Sequence, residues 1–314
     1  DSLSVLHQPT AKTVFSVSAR IWGDSMDNKK AVALGLFDGV HLGHRAVLSA
    51  AYEQSKNGLT ASAFTFVPET ASYKSGGYIY DTKTKLRLIG ECGIKQTELL
   101  PFTLVRGMSG EEFAERILCE RMNAAFVCCG SDFRFGKDAS CGVDELRGFG
   151  ERYGFGVQVV EAVKQNGDVI SSSSIRRLLS EGSIEKANEL LGRSYIISGT
   201  VADGNHIGRT IDFPTINQNF GSGQLVPAYG VYSGRTCIDG IVYRTVTNIG
   251  VKPTIAGERS PLAETHILGF SGDLYGRDIQ SELTGYIRPE RRFGSVEELK
   301  QQIIRDIAAA ENMP

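Results

Sequence analysis

Short apolar runs alternate with helical patterns through the first half of the chain, and this alternation constrains the fold more than any other feature. Four runs have the length and composition of buried strands, and the segments between them carry apolar residues three and four apart. The strand-like runs are 31–37, 60–67, 124–129 and 156–163, and the helical segments are 44–56, 82–92, 109–122 and 143–153. In the first helix Val47, Leu48, Ala51 and Tyr52 form the predicted buried face, and Ser109 with Glu112 forms a capping box at the start of the third. Strands separated by helices predict right-handed crossovers and a doubly wound, mostly parallel sheet.

The second half of the chain changes to strands joined by turns. Strand-like runs cover 195–201, 230–237, 241–248, 264–270 and 282–287, and Asp239-Gly240 is a signal for a two-residue hairpin. Few helices interrupt these runs, which favours a small antiparallel β-barrel. Ser295 with Glu298 predicts the cap of a terminal helix, whose apolar stripe would be Val296, Leu299, Ile303 and Ile307. With 314 residues in all, we expect an α/β domain over residues 1–182 and a β domain over residues 183–314.

Composition excludes several classes of function. The net charge is −2 and no long Lys/Arg run occurs, so we expect a small-molecule substrate and no nucleic acid. No stretch of 18 consecutive apolar residues occurs, so no membrane span is expected. The six cysteines form neither a CxxC motif nor a metal-ligand cluster, which predicts a reducing, cytoplasmic location. Whether the chain forms a homo-oligomer stays open.

Residues 33–44 join the first predicted strand to the first helix and carry two histidines. His41 and His44 are three residues apart, so they lie side by side at the first helical turn. The N-terminus of a helix attracts anions through unpaired N–H groups and a partial positive charge. Gly39 and Gly43 place no side chain between the backbone and a phosphate. The stretch predicts a phosphate site with two imidazoles.

Three interpretations of this histidine pair remain open at this point. The pair could bind zinc, although no cysteine or carboxylate pair accompanies it, or it could be structural. In phosphate chemistry the imidazole N–H groups would stabilise charge that grows on a phosphate under attack. If the nucleophile is itself an ionised phosphate, the reaction needs no general base.

Two further stretches of the first half are candidates for ligand contacts. Residues 171–177 place serine hydroxyls at a helix start and an arginine one turn later, a set that grips a pyrophosphate; the alternative is a plain serine cap with solvated arginines. Residues 130–137 resemble a P-loop, but five residues rather than four separate the glycines. We interpret this second stretch as one wall of a substrate site.

The second half contains a candidate magnesium and base site. Pro214 favours extended backbone, which places Thr215 and Asn217 on one face, where their oxygens suit Mg²⁺ with phosphates. The alternative is a turn and an edge strand. Glu264 shares a face with His266 and is either a paired surface residue or a general base toward an alcohol.

Taken together, these motifs resemble the bifunctional riboflavin kinase/FAD synthetase family of bacteria over nearly the whole chain. Each motif alone is weak, whereas their order and spacing across two domains are specific. The resemblance is carried by residues 35–44 (GLFDGVHLGH), 130–136 (GSDFRFG), 172–176 (SSSIR), 191–195 (LGRSY), 213–217 (FPTIN), 230–232 (GVY), 248–254 (NIGVKPT) and 264–268 (ETHIL).

For the first domain the resemblance implies a nucleotidyltransferase that joins FMN to the AMP part of ATP and releases pyrophosphate. His41 and His44 would then stabilise the α-phosphate, and Asp132 and Phe133 would lie in the loop beside the flavin. The residues implied at the ATP phosphates are Gly35, Phe37, Asp38, Gly39, Gly43, Ser172, Ser173 and Arg176.

For the second domain the resemblance implies a riboflavin kinase, a six-stranded barrel with a following helix. Glu264 would take the proton from the ribityl hydroxyl of riboflavin as that oxygen attacks the γ-phosphate of ATP. Thr215 and Asn217 would bind the Mg²⁺ cofactor, and the implied ATP-binding residues are Gly208, Arg209, Pro214, Thr215 and Asn217. The implied substrates and products are therefore riboflavin, FMN, ATP and FAD.

The chain departs from the family pattern at a few positions. Ser173 stands where threonine is usual, Asp212 replaces a glycine, and Gly269 replaces an aspartate. A chain with only the adenylyltransferase activity retained, or a non-catalytic flavin-binding or regulatory protein on the same fold, are the alternatives. The intact histidine pair and Glu264 favour catalysis, because a pure binder has no use for them.

Overall fold

The protein is described from a computed structural model that covers residues 29–67, 77–202, 213–221, 223–253 and 259–313. Of the candidate site residues, Gly208 and Arg209 lie outside these described residues, as does the unusual Asp212.

A five-stranded parallel sheet with the order β3-β2-β1-β4-β5 forms the first half, which confirms the predicted doubly wound domain. The strands are β1 (Lys30–Leu34), β2 (Thr60–Phe66), β3 (Gln96–Leu100), β4 (Ala124–Gly130) and β5 (Gly156–Val160). The helices are α1 (Leu42–Glu53), α2 (Thr82–Glu91), α3 (Gly110–Glu112, continued as a π-helical stretch over Phe113–Arg121) and α4 (Val143–Tyr153). Because the strand order reverses between β1 and β4, a ligand crevice is expected outside the carboxyl ends of these two strands.

Most predicted elements of this half are present, with ends that differ by up to three residues. β1 stops at Leu34 rather than at residue 37, because the chain turns at once and Phe37 adopts a left-handed φ of 49°. β3 was not predicted, since only one of its residues is buried at the edge of the sheet. The capping box of Ser109 and Glu112 is confirmed. On α1 the predicted buried face was wrong at Tyr52, which is 43% exposed.

One segment of the chain connects the parallel sheet to the second sheet. It contains the small hairpin of β6 (Lys164–Gln165) and β7 (Asp168–Val169), followed by the helices α5 (Ser172–Ser180) and α6 (Ile184–Leu191).

A six-stranded antiparallel sheet forms the second half, in the order β8-β13-β10-β11-β12-β9. Its strands are β8 (Tyr195–Thr200), β9 (Thr215–Asn219), β10 (Gly230–Ile238), β11 (Ile241–Pro253), β12 (Arg259–Ile267) and β13 (Asp278–Pro289). The two edges of this sheet approach each other, because Ala202 donates its N–H to the carbonyl of Asn217 at 2.9 Å. The predicted barrel is therefore nearly closed, and the Asp239-Gly240 hairpin is confirmed.

The terminal helix α7 (Val296–Asn312) begins at the predicted cap, Ser295. Its predicted apolar stripe was wrong at Val296, which is 51% exposed. Asp306 is buried instead and accepts hydrogen bonds from the Arg288 guanidinium on β13. The helix is thus held to the barrel partly by a buried ion pair that an apolar pattern does not reveal.

One continuous cluster of buried apolar side chains extends through both halves of the molecule. It runs from β1 and α1 through Ile175 on α5 and Leu191 on α6 to Tyr195 and Leu283 in the barrel. The predicted boundary after residue 182 falls between two helices that both pack into this cluster, so it stays a prediction. None of the helices within the described residues is long and apolar enough to cross a membrane.

Candidate active sites

The loop that follows β1 brings the predicted phosphate-site residues together at the reversal point of the sheet. His41 is the N-cap of α1, and its Nδ1 accepts the N–H of His44 at 3.3 Å. The first turn of α1 contains no acidic side chain, so the positive end of the helix dipole is not neutralised. This geometry keeps an anion-binding position at the start of the helix.

The two imidazoles stack on each other. Their ring centroids are 3.6 Å apart with an interplanar angle of 19°, and the ring of Phe37 packs edge-on against His44. His41 is 5% exposed, and His44 is half-buried with an Nδ1 that has no hydrogen-bond partner among the described residues. Because His41 Nδ1 accepts a hydrogen bond, its ring proton is on Nε2, where it remains available as a donor.

Both histidines are neutral at physiological pH. Burial, followed by the positive charges of Arg193 and Arg176, lowers the pKa of His41 from 6.5 to about 4. Burial also lowers the pKa of His44 well below its ordinary value, and the neighbouring His41, Lys85 and Arg193 add to this effect. The site therefore offers uncharged N–H donors surrounded by fixed cations.

Glycines allow the close packing of this loop. A side chain at Gly39, where φ is +81°, would meet Ile79 at 2.8 Å, and one at Gly35 would meet the Phe37 ring at 2.9 Å. At Gly43 the nearest atoms would be those of the His41 ring, at 3.2 Å. These three glycines leave room for the histidines and for the backbone turn.

Asp38 is buried and fastens the loop to two other elements. Its carboxylate accepts the N–H of Ile79 at 2.8 Å and pairs with the Arg176 guanidinium at 2.7 Å. Burial raises the pKa of Asp38 above its ordinary value, against the opposing effects of Arg176 and of the Ile79 N–H. Ser172 donates its hydroxyl to the Asp38 carbonyl at 3.0 Å, so α5 is docked directly on the loop.

The start of α5 lies against the histidine loop, because Ser172 and Arg176 both contact Asp38. Ser171 caps the helix by accepting the N–H of Ser174, and the first turn has no acidic residue. Ser173 is exposed, and Arg176 keeps its Nε without a partner in the described residues. The serines and the arginine thus face the same region as the histidine loop, with donors left over for a ligand.

Lys85 on α2 is a charged residue that the sequence reasoning missed. It is 2% exposed, and its Nζ donates to the carbonyl of Phe66 at 2.7 Å and lies near the Thr65 hydroxyl at 3.3 Å and the Leu36 carbonyl at 3.4 Å. Burial lowers its pKa to about 8. The sequence did carry a signal for this residue, because Lys85 lies three and four positions before Leu88 and Ile89, on the apolar face of the helical pattern.

Arg193 is a second missed residue, and it comes from the other half of the chain. Its guanidinium donates to the carbonyls of Gly39 and Val40 at 3.1 and 2.7 Å, directly before His41. The sequence reasoning used it only as part of the motif at residues 191–195, without a role.

The loop after β4 lies on the other side of the reversal point. Asp132 is exposed, and Phe133 is half-buried and stacks on Phe135 with ring centroids 5.6 Å apart. Both residues thus follow the carboxyl end of β4, the strand next to β1 in the sheet; their role beside a substrate stays a prediction.

A second group of candidate residues lies on one face of the barrel. In the register of β9 and β12, Asn217 is opposite Glu264 and Thr215 is opposite His266, so the four side chains share a face. Asn217 is 6% exposed, and its Oδ1 has no hydrogen-bond partner in the described residues. His266 is held in place through Nδ1, which lies 2.7 Å from the carbonyl of Pro214.

The donor types of this face suit Mg²⁺ better than a transition metal. An amide oxygen and a hydroxyl are hard oxygen ligands, and the buried Asn217 Oδ1 lacks a protein donor. Across the described residues no group of three or more His, Cys, Asp or Glu could hold a metal ion. Zinc between His41 and His44 is also disfavoured, because His41 Nδ1 already accepts the His44 N–H.

Comparison with known proteins finds two family models along the chain. A model described as FAD synthetase matches residues 24–174, which include the histidine loop. A model described as riboflavin kinase matches residues 191–314, which include Glu264. The two matches follow the two halves of the fold.

Relatives of similar length match most of the chain. The bifunctional riboflavin kinase/FMN adenylyltransferase of Escherichia coli (strain K12) is 36% identical over 287 residues, covering 88% of this chain and 90% of the relative. The enzyme of the same description from Bacillus subtilis (strain 168) is 34% identical over 291 residues, with the same coverage. A crystal structure described as a macrolide-efflux protein from Streptococcus pneumoniae shares the fold with a TM-score of 0.81 at 28% identity, covering 92% of this chain and 95% of that one. The chain therefore belongs to the bifunctional riboflavin kinase/FMN adenylyltransferase family, a family of transferases.

Proposed function

We propose that this chain phosphorylates riboflavin to FMN in its second half and adenylylates FMN to FAD in its first half, with ATP as the co-substrate of both steps. The observation that carries the proposal is the pair of neutral, stacked imidazoles at the start of α1. Adenylylation is assigned to the predicted domain over residues 1–182, and phosphorylation to the predicted domain over residues 183–314.

In the adenylylation step a phosphate oxygen of FMN attacks the α-phosphorus of ATP. The bond from that phosphorus to the oxygen bridging to the β-phosphate breaks, and pyrophosphate leaves. The FMN phosphate arrives ionised and needs no base, so the demand on the protein is stabilisation of charge at the α-phosphate. His41 and His44 supply N–H donors for this purpose at a helix N-terminus, where preorganised donors act strongly.

The leaving pyrophosphate lies at the start of α5. Ser172, Ser173 and Arg176 would hold the β- and γ-phosphates, and the free Nε of Arg176 supports this role. The Asp38 carboxylate keeps the Arg176 guanidinium oriented toward the loop. Asp132 and Phe133 would border the flavin on the side of β4.

In the kinase step the ribityl hydroxyl of riboflavin attacks the γ-phosphorus of ATP, and ADP leaves. A neutral alcohol gains from losing its proton during the attack, and Glu264 takes that proton. Thr215 and Asn217 would hold Mg²⁺, which neutralises phosphate charge when it is bound. Gly208, Arg209 and Pro214 complete the proposed ATP-binding residues of this step.

A reducing compartment, the cytoplasm, suits the proposed reactions. All six cysteines are free, and Cys128 and Cys129 are buried in β4 as small apolar side chains.

Chromatography of the flavins tests the proposal. Purified protein incubated with riboflavin, ATP and Mg²⁺ should produce FMN first and FAD later, and a second incubation that starts from FMN should yield FAD and pyrophosphate. Omitting Mg²⁺ is the control for the metal. Tight flavin binding without any conversion would instead support a non-catalytic protein and overturn the proposal.

A further inference from the structure

We propose that Arg193, which the chain contributes after the first half has ended, is a positioning residue for FMN adenylylation because it holds the turn that presents His41. The inference rests on the proposed function of the first half. Arg193 belongs to the residues matched by the riboflavin kinase model, and it lies 19 positions beyond the end of the FAD synthetase match at residue 174. A residue in the region matched by the riboflavin kinase model would thus affect FMN adenylylation in the region matched by the FAD synthetase model.

The contact has the geometry of a clamp on the backbone. Two different nitrogens of the Arg193 guanidinium donate to two successive carbonyls, those of Gly39 and Val40. A planar fork that satisfies two acceptors at once fixes direction as well as distance. The next residue in the chain is His41, so the two carbonyls that Arg193 binds immediately precede the residue that carries the imidazole.

The clamped turn needs support. Val40 has a φ of +43°, a conformation that β-branched residues rarely adopt, and Gly39 has a φ of +81°. Such backbone strain persists only where the surroundings hold it. Val40 is fully buried, and the guanidinium of Arg193 lies on the carbonyl side of the same two peptide units. The structure thus uses Arg193 to keep this turn in its strained form.

Arg193 is itself held firmly in place. It follows Gly192, the left-handed C-cap of α6, whose position leaves no room for a side chain because Leu42 on α1 would be 2.5 Å away. Two residues later, Tyr195 donates its N–H to Asn188 and its hydroxyl to the carbonyl of Ile79. The guanidinium is therefore presented to the loop from a rigid support.

The charge of Arg193 acts on the same imidazole. The charged and titratable groups that face His41 are Arg193, Arg176 from α5 with its partner Asp38, and His44, whose pKa is in turn lowered by the charge of Lys85. Burial and the two arginines lower the pKa of His41. Protonation would place a hydrogen on Nδ1 and break the cap to the His44 N–H, so the neutral ring is the working form.

Two substitutions in the full-length chain separate the geometric and the electrostatic contributions. Arg193→Gln keeps one donor but removes the charge, and Arg193→Lys keeps the charge but removes the fork. The matched control is Arg177→Gln, because Arg177 is exposed on α5 and pairs only with Glu181 in the described residues.

Three readouts are taken from each sample. Steady-state FMN adenylylation gives kcat, KM and the acid limb of the pH profile, and riboflavin phosphorylation reports whether the barrel is intact. Ring resonances of the five histidines, titrated by NMR with His41 assigned by its substitution, give the protonation midpoint of His41 without any need for turnover.

The results expected for a positioning residue differ from those expected for a residue with a general structural role. Arg193→Gln lowers kcat for adenylylation by about tenfold to hundredfold, as a misplacement near 1 Å does, and moves both the acid limb and the His41 midpoint to higher pH. Arg193→Lys loses less in kcat and keeps the His41 midpoint close to that of the wild type, because the positive charge remains. Phosphorylation of riboflavin is unchanged in both variants, and Arg177→Gln matches the wild type.

Other results overturn the inference. A His41 midpoint that Arg193→Gln does not move, or a parallel loss of both activities in Arg193→Lys, shows a general structural role. If the wild type forms no FAD, the proposed function fails, whereas the His41 midpoint in the two variants still decides the role of Arg193. If Arg193→Gln does not fold, Arg193→Lys with its weaker clamp gives the decision through kcat and the midpoint.

Discussion

In the proposed function the two candidate sites use the same co-substrate, but they are built in opposite ways. The first site is a loop at the ends of parallel strands, where neutral His41 and His44 are surrounded by buried or half-buried cations. The second lies on the face of an antiparallel sheet and contains a carboxylate, Glu264, opposite an amide. A nucleophile that arrives charged needs donors, and one that must lose a proton needs a base. The difference between the sites follows from the nucleophile rather than from ATP.

The sites nevertheless rest on one apolar core. The buried cluster that begins under α1 continues through α5 and α6 into the barrel, and Arg193 crosses the same boundary to reach the histidine loop. The proposed function thus places two chemically independent sites on one continuous core. The following substitutions test how far the chemical independence extends.

Removing the base should give the largest effect. Glu264→Gln keeps the size of the side chain but cannot accept the hydroxyl proton, so we expect riboflavin phosphorylation to fall by about 10²- to 10⁴-fold. FAD formation from supplied FMN should remain. The measurement is the initial rate of each step by chromatography. Glu282→Gln, on β13 and paired with Arg235, is the matched control, and a loss of both activities in Glu264→Gln would contradict separate sites.

Removing one imidazole should produce the reverse pattern. His44→Ala deletes one donor at the α-phosphate, and we expect FAD formation to fall by about 10²- to 10³-fold. Phosphorylation of riboflavin should continue, so FMN accumulates. The flavin products formed from riboflavin after a fixed time give the answer. If FMN also disappears while the circular dichroism spectrum is unchanged, the two halves do not act independently.

The neutral state of His41 should be visible in the pH dependence of stability. Its folded pKa of about 4 lies below the unfolded 6.5, so only the unfolded chain binds this proton between these values. The corresponding stabilisation is fully present above pH 6.5 and is lost as the pH falls toward 4, by about 3 kcal/mol at most.

His41→Asn isolates this contribution. Asparagine still caps the helix but does not titrate, so the variant should lose less of its free energy of unfolding than the wild type between pH 6.5 and pH 4. Urea unfolding at several pH values measures both slopes. Equal slopes would show that His41 is not held neutral.

Local sequence patterns predicted most helices and strands of the fold, but they do not encode contacts between segments that are distant in the sequence. The capping box at Ser109 and the Asp239-Gly240 hairpin depend on neighbouring residues and were found from the sequence. β3 is a half-buried edge strand with little periodicity and was missed. The pairing of Asp306 with Arg288, which joins α7 to β13, is a contact between distant segments and was likewise not predicted.

The same distinction applies to the first site. His41, His44 and the serines of α5 belong to compact motifs, and the sequence predicted the pair of rings at the helix start. Lys85 and Arg193 reach the loop from 41 or more positions away, through folds of the chain that no local spacing encodes. Their effect on the histidine pKa values could be seen only once the chain was folded.

The smallest expected effect concerns the one added charge beside the kinase site. Asp212 lies outside the described residues, and in the sequence it stands three positions before Thr215, a proposed Mg²⁺ ligand. A like charge about 10 Å from a phosphate costs roughly 0.5 kcal/mol in water. Asp212→Gly should therefore lower the KM for ATP in riboflavin phosphorylation by about twofold at low salt, and FMN adenylylation should not change. Because exposed charges are screened, the gain should shrink as KCl is raised. A gain that is independent of salt would point to a backbone effect of the glycine instead, and the repulsion would then play no part in the difference between the two sites.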